Sequence, residues 1–369
     1  MKVAIITTYA DKIFSSRYEL IMSLIKKGHT VTVIGTEELK DSKEYFEKYE
    51  VVYKRILFGR SNTNPYKEIK FIKYTQRVLK QLNLDVLIVY GVRLAASMSI
   101  AAKLAGIKKV YSIINGAGTL FNIGGVKGKL ILSLSYPLLF SGLRLSNKVF
   151  FQNMDNREMF IKMRLVGERK TCIVNGSGVN LEKFYPNFDN DENKTFLFTG
   201  RMIRDKGINE FIAATKKVKE IFPEYKFLII GPFDENITAV NSNEVSKLIE
   251  EGLLEHISWT NDINKYMRDC FVFVLPSYHE GLPRTTLEAM ASGKPIITTD
   301  VPGCRETVID GLNGFLIPAK NTEALAKKMV WMIENRERTN HMGKESLKLV
   351  KEKFDVHVVN NSMLSKMEL

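Results

Sequence analysis

The stretch Phe271-Val272-Phe273-Val274-Leu275-Pro276-Ser277-Tyr278-His279-Glu280-Gly281-Leu282-Pro283-Arg284-Thr285-Thr286-Leu287-Glu288-Ala289-Met290 passes from an unbroken apolar run, through a loop, into a helical pattern. An apolar run of that length, bounded by turn residues, predicts a strand buried on both faces over Phe271–Pro276. Gly281 lets the backbone come close to a ligand. A helix follows from near Thr285, and its free amides form an anion site.

The same rhythm extends in both directions. Apolar runs predict further strands at Val3–Thr7, Thr30–Gly35, Val51–Phe58, Asp85–Tyr90, Val110–Ile114 and Val149–Asn153. After the polar stretch Pro186–Lys194 they resume at Phe196–Gly200, Lys226–Gly231, His256–Thr260, Pro295–Thr299 and Gly314–Pro318. Amphipathic segments such as Arg17–Lys27 and Tyr66–Leu82 separate them. Strands alternating with helices imply parallel sheets covered by helices. The fold class is therefore α/β, with two doubly wound, Rossmann-like parallel-sheet domains facing a cleft. The domains are 1–185 and 186–350, followed by a terminal segment 351–369 whose helix is expected over Asp355–Met367. In such sheets ligands bind at the carboxyl ends of the strands.

A chain of 369 residues with 45% hydrophobic content has enough apolar material for two cores. Cys172, Cys270 and Cys304 form no Cys-x-x-Cys pair and no metal spacing with the histidines, which fits a reduced, cytoplasmic protein. Met1–Thr7 reads as an opening strand and not as a signal peptide. No run of apolar residues is long enough to span a bilayer. The net charge of +13 divides into +16 over residues 1–185 and −3 over 186–369, and no acid occurs between Asp85 and Asp155. A basic half suits nucleic acid, an anionic membrane surface or a diphosphate substrate.

Two segments carry chemistry. In Phe198-Thr199-Gly200-Arg201-Met202-Ile203-Arg204-Asp205-Lys206-Gly207, Arg201 and Lys206 sit on a strand-to-helix connection, where two fixed cations can neutralise a diphosphate. An exposed basic turn is the plain alternative. In the opening stretch, Glu280 and Glu288 can accept hydrogen bonds from sugar hydroxyls. For Glu288 the alternative is a capping box, Thr285-x-x-Glu288. For Glu280 it is a solvated loop acid.

Taken together, Glu280-x7-Glu288, Gly200-Arg201-x4-Lys206-Gly207 and Pro302-Gly303-x-x-Glu306-x3-Asp310-Gly311-x-Asn313-Gly314 resemble the family-4 retaining glycosyltransferases of the GT-B fold. The resemblance implies that Arg201 and Lys206 grip the donor diphosphate and that Glu288 holds the ribose. Glu280, with the amides around Gly281 and Leu282, holds the transferred sugar; Gly200 and His279 complete the donor side. It implies retention of configuration by front-face attack, a UDP-sugar as substrate, no cofactor and no bound metal. Asp189-Asn190-Asp191 looks like a metal-binding motif but falls in the polar linker. The last helix is expected to return to the first domain. Val301–Thr307, with Gly176-Ser177-Gly178-Val179-Asn180-x3-Phe184, narrows the likeness to enzymes that extend undecaprenyl-diphosphate-linked sugars in O-antigen, capsule and glycoprotein pathways. Many members carry Asp at the position of Asn180. Some carry His where this chain has Asn115-Gly116-Ala117-Gly118.

The acceptor side falls to the basic half. Asn115–Gly128 is glycine-rich but lacks the third glycine of a dinucleotide fingerprint. It is either a loop cradling an acceptor diphosphate, through Asn115, Gly116 and Gly118, or an ordinary connection. Arg17, after the first strand, is a further candidate for that diphosphate. In Tyr66–Leu82, Lys67, Lys70, Lys73, Arg77 and Lys80 share one face, with Ile69, Ile72 and Val78 on another. Lys129–Leu145 is apolar between Lys127 and Arg144, and is either a core helix or one lying at a membrane surface. The expected place is the inner face of the plasma membrane, as a peripheral protein. The rivals are a GT-B-like UDP-sugar epimerase and a basic nucleic-acid binder, although the chain lacks the aromatic, zinc or reading-helix signatures of the latter.

Overall fold

Two compact units make up the chain, one of Met1–Ser177 with Asn360–Leu369, the other of Gly178–Val359. The structure is a computed structural model and describes residues 1–8, 10–11, 13–40, 43–57, 64–117, 121, 125–188, 193–233 and 242–369, with backbone only at 126, 127 and 242–244. Gly118 and Asp189-Asn190-Asp191 lie outside the described residues.

In the first unit, strands β1 (Lys2–Ile6), β2 (Thr30–Gly35), β3 (Val52–Arg55), β4 (Val86–Tyr90), β5 (Lys109–Ile114), β6 (Lys148–Phe151) and β7 (Thr171–Ile173) form one sheet. Its order is β3-β2-β1-β4-β5-β6-β7, and every pair is parallel. The sequence reading has no β7. That strand is a three-residue edge whose residues are all half-buried, so it leaves no apolar run to read. β6 also stops short of Asn153, because the Asn153 side chain accepts from Asn156 N and caps the helix Met154–Lys162.

In the second unit, β8 (Thr195–Thr199), β9 (Lys226–Ile230), β10 (Glu255–Ile257), β11 (Val272–Leu275), β12 (Ile296–Thr299) and β13 (Gly314–Ile317) form a parallel sheet of order β10-β9-β8-β11-β12-β13. Phe196, Phe198, Phe211, Phe227 and Phe273 are fully buried in its core. Each ring withdrawn from water contributes about 2–3 kcal/mol. The strand order reverses between β8 and β11, and that switch point is where a doubly wound sheet opens a crevice at its carboxyl edge.

The boundary between units falls ahead of the polar linker because Gly178–Phe184 already belongs to the second unit. Val179 N donates to Phe354 O and Val356 N to Val179 O, at 2.9 and 3.0 Å. A Cβ on Gly178 would stand 2.5 Å from Val356 Cα, and its φ is +70°, so this crossing needs glycine. The helix Val356–Met367 then carries the chain back to the first unit. There Lys366 Nζ donates to Ile173 O, Lys148 Nζ to Lys366 O and Lys27 Nζ to Leu369 O.

Two expectations about helices change. In Pro65–Leu82, Ile72 and Val78 are buried but Ile69 is half-exposed, because the inward position beside it belongs to Glu68. Glu68 is buried, paired with Arg93 at 2.5 Å and bonded by Ser97 Oγ. The helix Gly125–Leu145 meets neither of its two readings along its whole length. Leu139 and Leu143 are fully buried, and a Cβ on Gly142 would stand 2.1 Å from Ala96 O of the neighbouring helix. Leu130 and Leu134, a turn apart, are each 60% exposed. Among the described residues no helix is long and apolar enough to cross a membrane.

Candidate active site

The connection after β8 and the loop after β11 meet at the switch point of the second sheet. Gly207 has φ +71°, and a Cβ there would lie 2.0 Å from Pro276 O. Glycine therefore lets the turn Arg204–Lys206 press directly against the end of β11. Tyr278 N and Ser277 Oγ both donate to Asp205 O, at 2.8 and 2.9 Å. These bonds set Lys206 beside Glu280. The two form a close ion pair, and Ser277 Oγ donates to the same carboxylate oxygen at 2.9 Å. Their side chains are 24% and 13% exposed, so the pair is only partly screened by water.

The third motif closes on the same place. Glu280 N donates to Pro302 O at 3.1 Å. Gly303, at φ +87°, has no room for a Cβ, which would stand 2.4 Å from Glu280 O. Glu306 Oε2 accepts from Gly303 N at 2.7 Å and holds that turn. Thr299 Oγ1 donates to Ser277 O, which ties the loop to the end of β12. The segments around Gly200–Gly207, Ser277–Glu288 and Pro302–Glu306 are thus one hydrogen-bonded edge.

Glu288 lies in the helix Arg284–Ala291. The capping-box reading is overturned: Pro283 holds the N-cap position and no side chain caps the helix. Thr285 is already inside the helix, two residues past the cap position. Glu288 is instead buried, and that burial pushes its carboxyl above the usual range, while Arg284 and Lys183 pull it back. The contact to Arg284 is 3.2 Å. Thr286 Oγ1, in the same turn, is buried and has no hydrogen-bond partner among the described residues. Leu282 is buried, while Gly281 and His279 are half-buried. Arg201 is exposed and Gly200 half-buried.

Sequence reasoning missed a second layer. Tyr278 OH donates to Glu210 Oε1 at 2.7 Å, and the Lys320 ammonium sits 5.0 Å from the centre of the same ring. Burial, and after it Glu210, raises the Tyr278 hydroxyl, so this group stays protonated. Glu210 lies in the first turn of Ile208–Ile221. The only local sign was an aromatic beside His279 and an acid after a glycine.

In the first unit the candidates go to separate partners. Arg17 lies within the helix Ile13–Lys26, which begins four residues ahead of the expected Arg17–Lys27, at a break with φ −142° and ψ 17°. Its guanidinium stacks 4.6 Å from the Tyr90 ring centre and donates to Ser16 O and Ser177 Oγ. Asn115 is exposed after β5 and accepts from Gln152 Nε2 at 3.3 Å, and Gly116 is half-buried beside it. In the second unit, Asn180 makes a turn, its side chain accepting from Glu182 N and Lys183 N.

A protein family described as glycosyl transferases group 1 matches residues 181–349. The chain is 26% identical over 362 residues to N,N'-diacetylbacillosaminyl-diphospho-undecaprenol alpha-1,3-N-acetylgalactosaminyltransferase of Campylobacter jejuni, covering 94% of this chain and 93% of that protein. It is 26% identical over 288 residues to UDP-Gal:alpha-D-GlcNAc-diphosphoundecaprenol alpha-1,3-galactosyltransferase of Escherichia coli, with 74% and 73% covered. Among solved structures, Anabaena HepE in complex with UDP superposes with a TM-score of 0.80 at 16% identity, covering 100% of both chains. A glycosyltransferase from Rickettsia africae gives 0.80 at 18% identity, covering 100% of this chain and 97% of that one. At such identity the likeness speaks for the fold, and the two Rossmann-like sheets are the GT-B architecture. Neither the epimerase nor the nucleic-acid alternative is favoured by these relatives.

Proposed function

Residues 181–349 are a glycosyl transferases group 1 domain, and from that premise we propose that the chain, a glycosyltransferase, moves a hexose or N-acetylhexosamine from a UDP-sugar to an undecaprenyl-diphosphate-linked saccharide. N-acetylgalactosamine or a related sugar is the donor residue in this reading, and bacterial surface glycan assembly is its setting. The observation that carries it is the cross-tied edge at β8, β11 and β12, where Lys206, Glu280 and the Pro302–Glu306 turn come together.

Each role follows from charge and geometry. Lys206, with Arg201 on the same connection, supplies fixed positive charge where a diphosphate leaves. Glu280 accepts hydrogen bonds from the sugar hydroxyls, so the donor exchanges the Lys206–Glu280 pair for two charge-assisted contacts of its own. Glu288, buried beside Arg284, accepts from the ribose hydroxyls, since a buried carboxylate favours an occupant that donates to it. His279, Gly281 and Leu282 line the backbone approach to the sugar.

Retention follows if the acceptor attacks from the face the diphosphate leaves. The leaving oxygen then takes the acceptor proton, and no second carboxylate is needed as nucleophile. Charge neutralisation by Arg201 and Lys206 also serves in place of a metal ion. On the acceptor side, Asn115, Gly116 and Gly118 are assigned to the acceptor diphosphate, with Arg17 adding positive charge.

Peripheral attachment to the inner face of the plasma membrane is part of the reading. The exposed stripe of Pro65–Leu82 interleaves Tyr66, Ile69 and Tyr74 with Lys70, Lys73 and Arg77, and Leu130 and Leu134 are exposed on Gly125–Leu145. Both helices pack against Val92–Leu104. Cations mixed with amphipathic rings suit an anionic lipid surface.

The test is a panel of UDP-sugars against polyprenyl-diphosphate-linked N-acetylglucosamine and N-acetylgalactosamine, with and without EDTA. Transfer to such an acceptor with retained configuration, unaffected by EDTA, is expected. Conversion of the UDP-sugar without acceptor would replace the reading by epimerisation, and loss of activity in EDTA would remove the metal-free mechanism.

A further inference from the structure

Tyr278 and Glu210 stand directly behind the Lys206–Glu280 ion pair. Glu210 is four residues past Lys206, in the first turn of the helix Ile208–Ile221, and Tyr278 is two residues ahead of Glu280. The Tyr278 hydroxyl donates to Glu210 Oε1 at 2.7 Å. The other carboxylate oxygen, Oε2, is buried and makes no hydrogen bond with the described residues. An acid suits this first turn, where the free amides of the helix favour negative charge. Burial raises the Tyr278 hydroxyl, and Glu210 raises it further, so the hydroxyl stays a donor. The Lys320 ammonium, 5.0 Å from the ring centre, gives the tyrosine a second contact.

Lys206 makes such a bond necessary. Without donor it is fixed by Glu280, whose carboxylate also accepts from Ser277 Oγ. A donor diphosphate draws Lys206 and the donor sugar draws Glu280, so the pair opens as the ligand enters; this step rests on the donor role proposed for the two residues. A lysine released from its partner regains rotamer freedom, and its aim then depends on the backbone that carries it. Two ties flank that backbone. One residue before Lys206, Asp205 O accepts from Tyr278 N and Ser277 Oγ, at 2.8 and 2.9 Å. Four residues after it, Glu210 accepts from the Tyr278 hydroxyl. Gly207, at φ +71°, lies between the two ties. Glycine is the residue with the most backbone freedom, so the tie beyond it keeps the start of the helix from swinging about that point. Tyr278 takes part in both ties and so grips the connection on either side of Lys206.

We propose that Tyr278 and Glu210 are positioning residues, whose hydrogen bond keeps Lys206 aimed at the donor diphosphate once Glu280 has released it. Neither touches the diphosphate; both act through Lys206.

The experiment is a calorimetric titration of the full chain with UDP. Tyr278→Phe removes the hydroxyl and keeps the ring, and should weaken UDP binding about fivefold, the scale of one lost hydrogen bond. Glu210→Ala should weaken it by a similar factor. Glu210→Gln keeps an oxygen for the hydroxyl and should recover most of the affinity lost in Glu210→Ala. Its amide also places an unsatisfied donor where Oε2 is buried, so it should melt below the parent. Affinity would then follow the hydrogen bond and not stability. The deciding arm is Lys206→Ala. With the ammonium gone there is nothing left to aim, and adding Tyr278→Phe should cost no further affinity. Equal UDP affinity in the parent and Tyr278→Phe would overturn the proposal. So would a Tyr278→Phe loss that persists undiminished beside Lys206→Ala, or affinities that simply follow the melting temperatures. A parent that binds no UDP would remove the donor reading and this role together. A parent whose UDP affinity depends on Lys206 but not on Tyr278 would leave the donor reading standing and remove this role alone.

Discussion

The carboxyl edge of the second sheet is cross-tied, whereas that of the first is divided. In the second, Lys206 after β8 pairs with Glu280 after β11, and the loop after β11 is bonded both to Asp205 O of the β8 connection and to the turn after β12. In the first, Arg17 turns to Tyr90 and Ser177, while Asn115 is held by Gln152. Both edges carry polar residues on glycine-containing loops, so composition does not separate them. The difference is that β8 and β11 are adjacent across the switch point, which puts opposite charges from distant motifs within one hydrogen-bonded frame. A donor site needs such pre-set charges; the acceptor side, assigned to the first unit, has its candidates committed to separate partners.

The sharpest way to break that contrast is Glu280→Ala. Losing one preorganised polar contact of this kind costs about 10²–10³ in turnover, and circular dichroism should show an intact fold. Lys206→Ala should raise the donor KM and lower kcat. Because the two residues are paired, the double variant should lose far less than the product of the single losses. Additive losses in a double-mutant cycle would mean that the pair does not act as one unit. Arg17→Ala, by comparison, should leave donor KM unchanged.

Next in size is a steric comparison between the units. Gly207→Ala forces a Cβ to 2.0 Å from Pro276 O at φ +71°, while Gly28→Ala in the first unit has φ +78° with nothing within 4 Å. The first change combines left-handed strain with a clash and should destabilise by about 3 kcal/mol. The second carries the backbone cost alone, about 1 kcal/mol. Urea unfolding midpoints of the two variants measure the gap; equal shifts would show that the Gly207 contact relaxes without cost.

These results mark how far the residues themselves could be read. Most strands were legible because a parallel sheet covered on both faces demands unbroken apolar runs, as in Phe273–Leu275 or Ile5–Ile6, and helix rhythm filled the gaps. β7 was not, since an edge of three half-buried residues carries no pattern. Glu68 gave no sign of burial within its charged helix, because its partners Arg93 and Ser97, which make a buried acid tenable, come from another helix. Glu280, Lys206 and Glu288 were legible as candidates from spacing and from the family resemblance. The close ion pair of Lys206 and Glu280 was not, because it depends on Gly207 and Gly303 admitting close backbone contacts. The cap at Thr285 failed for a local reason: Pro283 starts the helix earlier than the motif allows.

A smaller effect tests whether burial or function dominates at Glu288. Its carboxyl is raised in the folded chain, chiefly by desolvation. A group raised in this sense favours folding most when protonated, below its unfolded value. That contribution is lost as pH rises through the folded value, leaving a charge that burial disfavours at neutral pH. Glu288→Gln should therefore melt no lower than the parent at pH 7, and the stability difference between them should shrink toward pH 4. Donor affinity should nonetheless fall by about tenfold, the scale of a lost hydrogen bond to a charged group. A variant that is less stable at pH 7 would mean that Arg284 and Lys183 outweigh burial.

The smallest expected effect concerns the basic half. Lys73 and Arg77 lie on the exposed stripe of Pro65–Leu82, among Tyr66, Ile69 and Tyr74. At an anionic surface each cation contributes about 1 kcal/mol, or roughly fivefold in partition. Lys73→Gln and Arg77→Gln should each weaken sedimentation with vesicles containing phosphatidylglycerol by that factor, and the effect should fade as salt shortens the screening length. Exposed lysines of the second unit, Lys216 and Lys348, serve as controls of equal charge. If their removal weakens vesicle binding as much, the attraction is the diffuse charge of the whole protein and not this helix. If vesicle binding falls only for the stripe while transfer to a water-soluble acceptor analogue is unchanged, the first unit's charge serves the membrane and leaves the chemistry to the second.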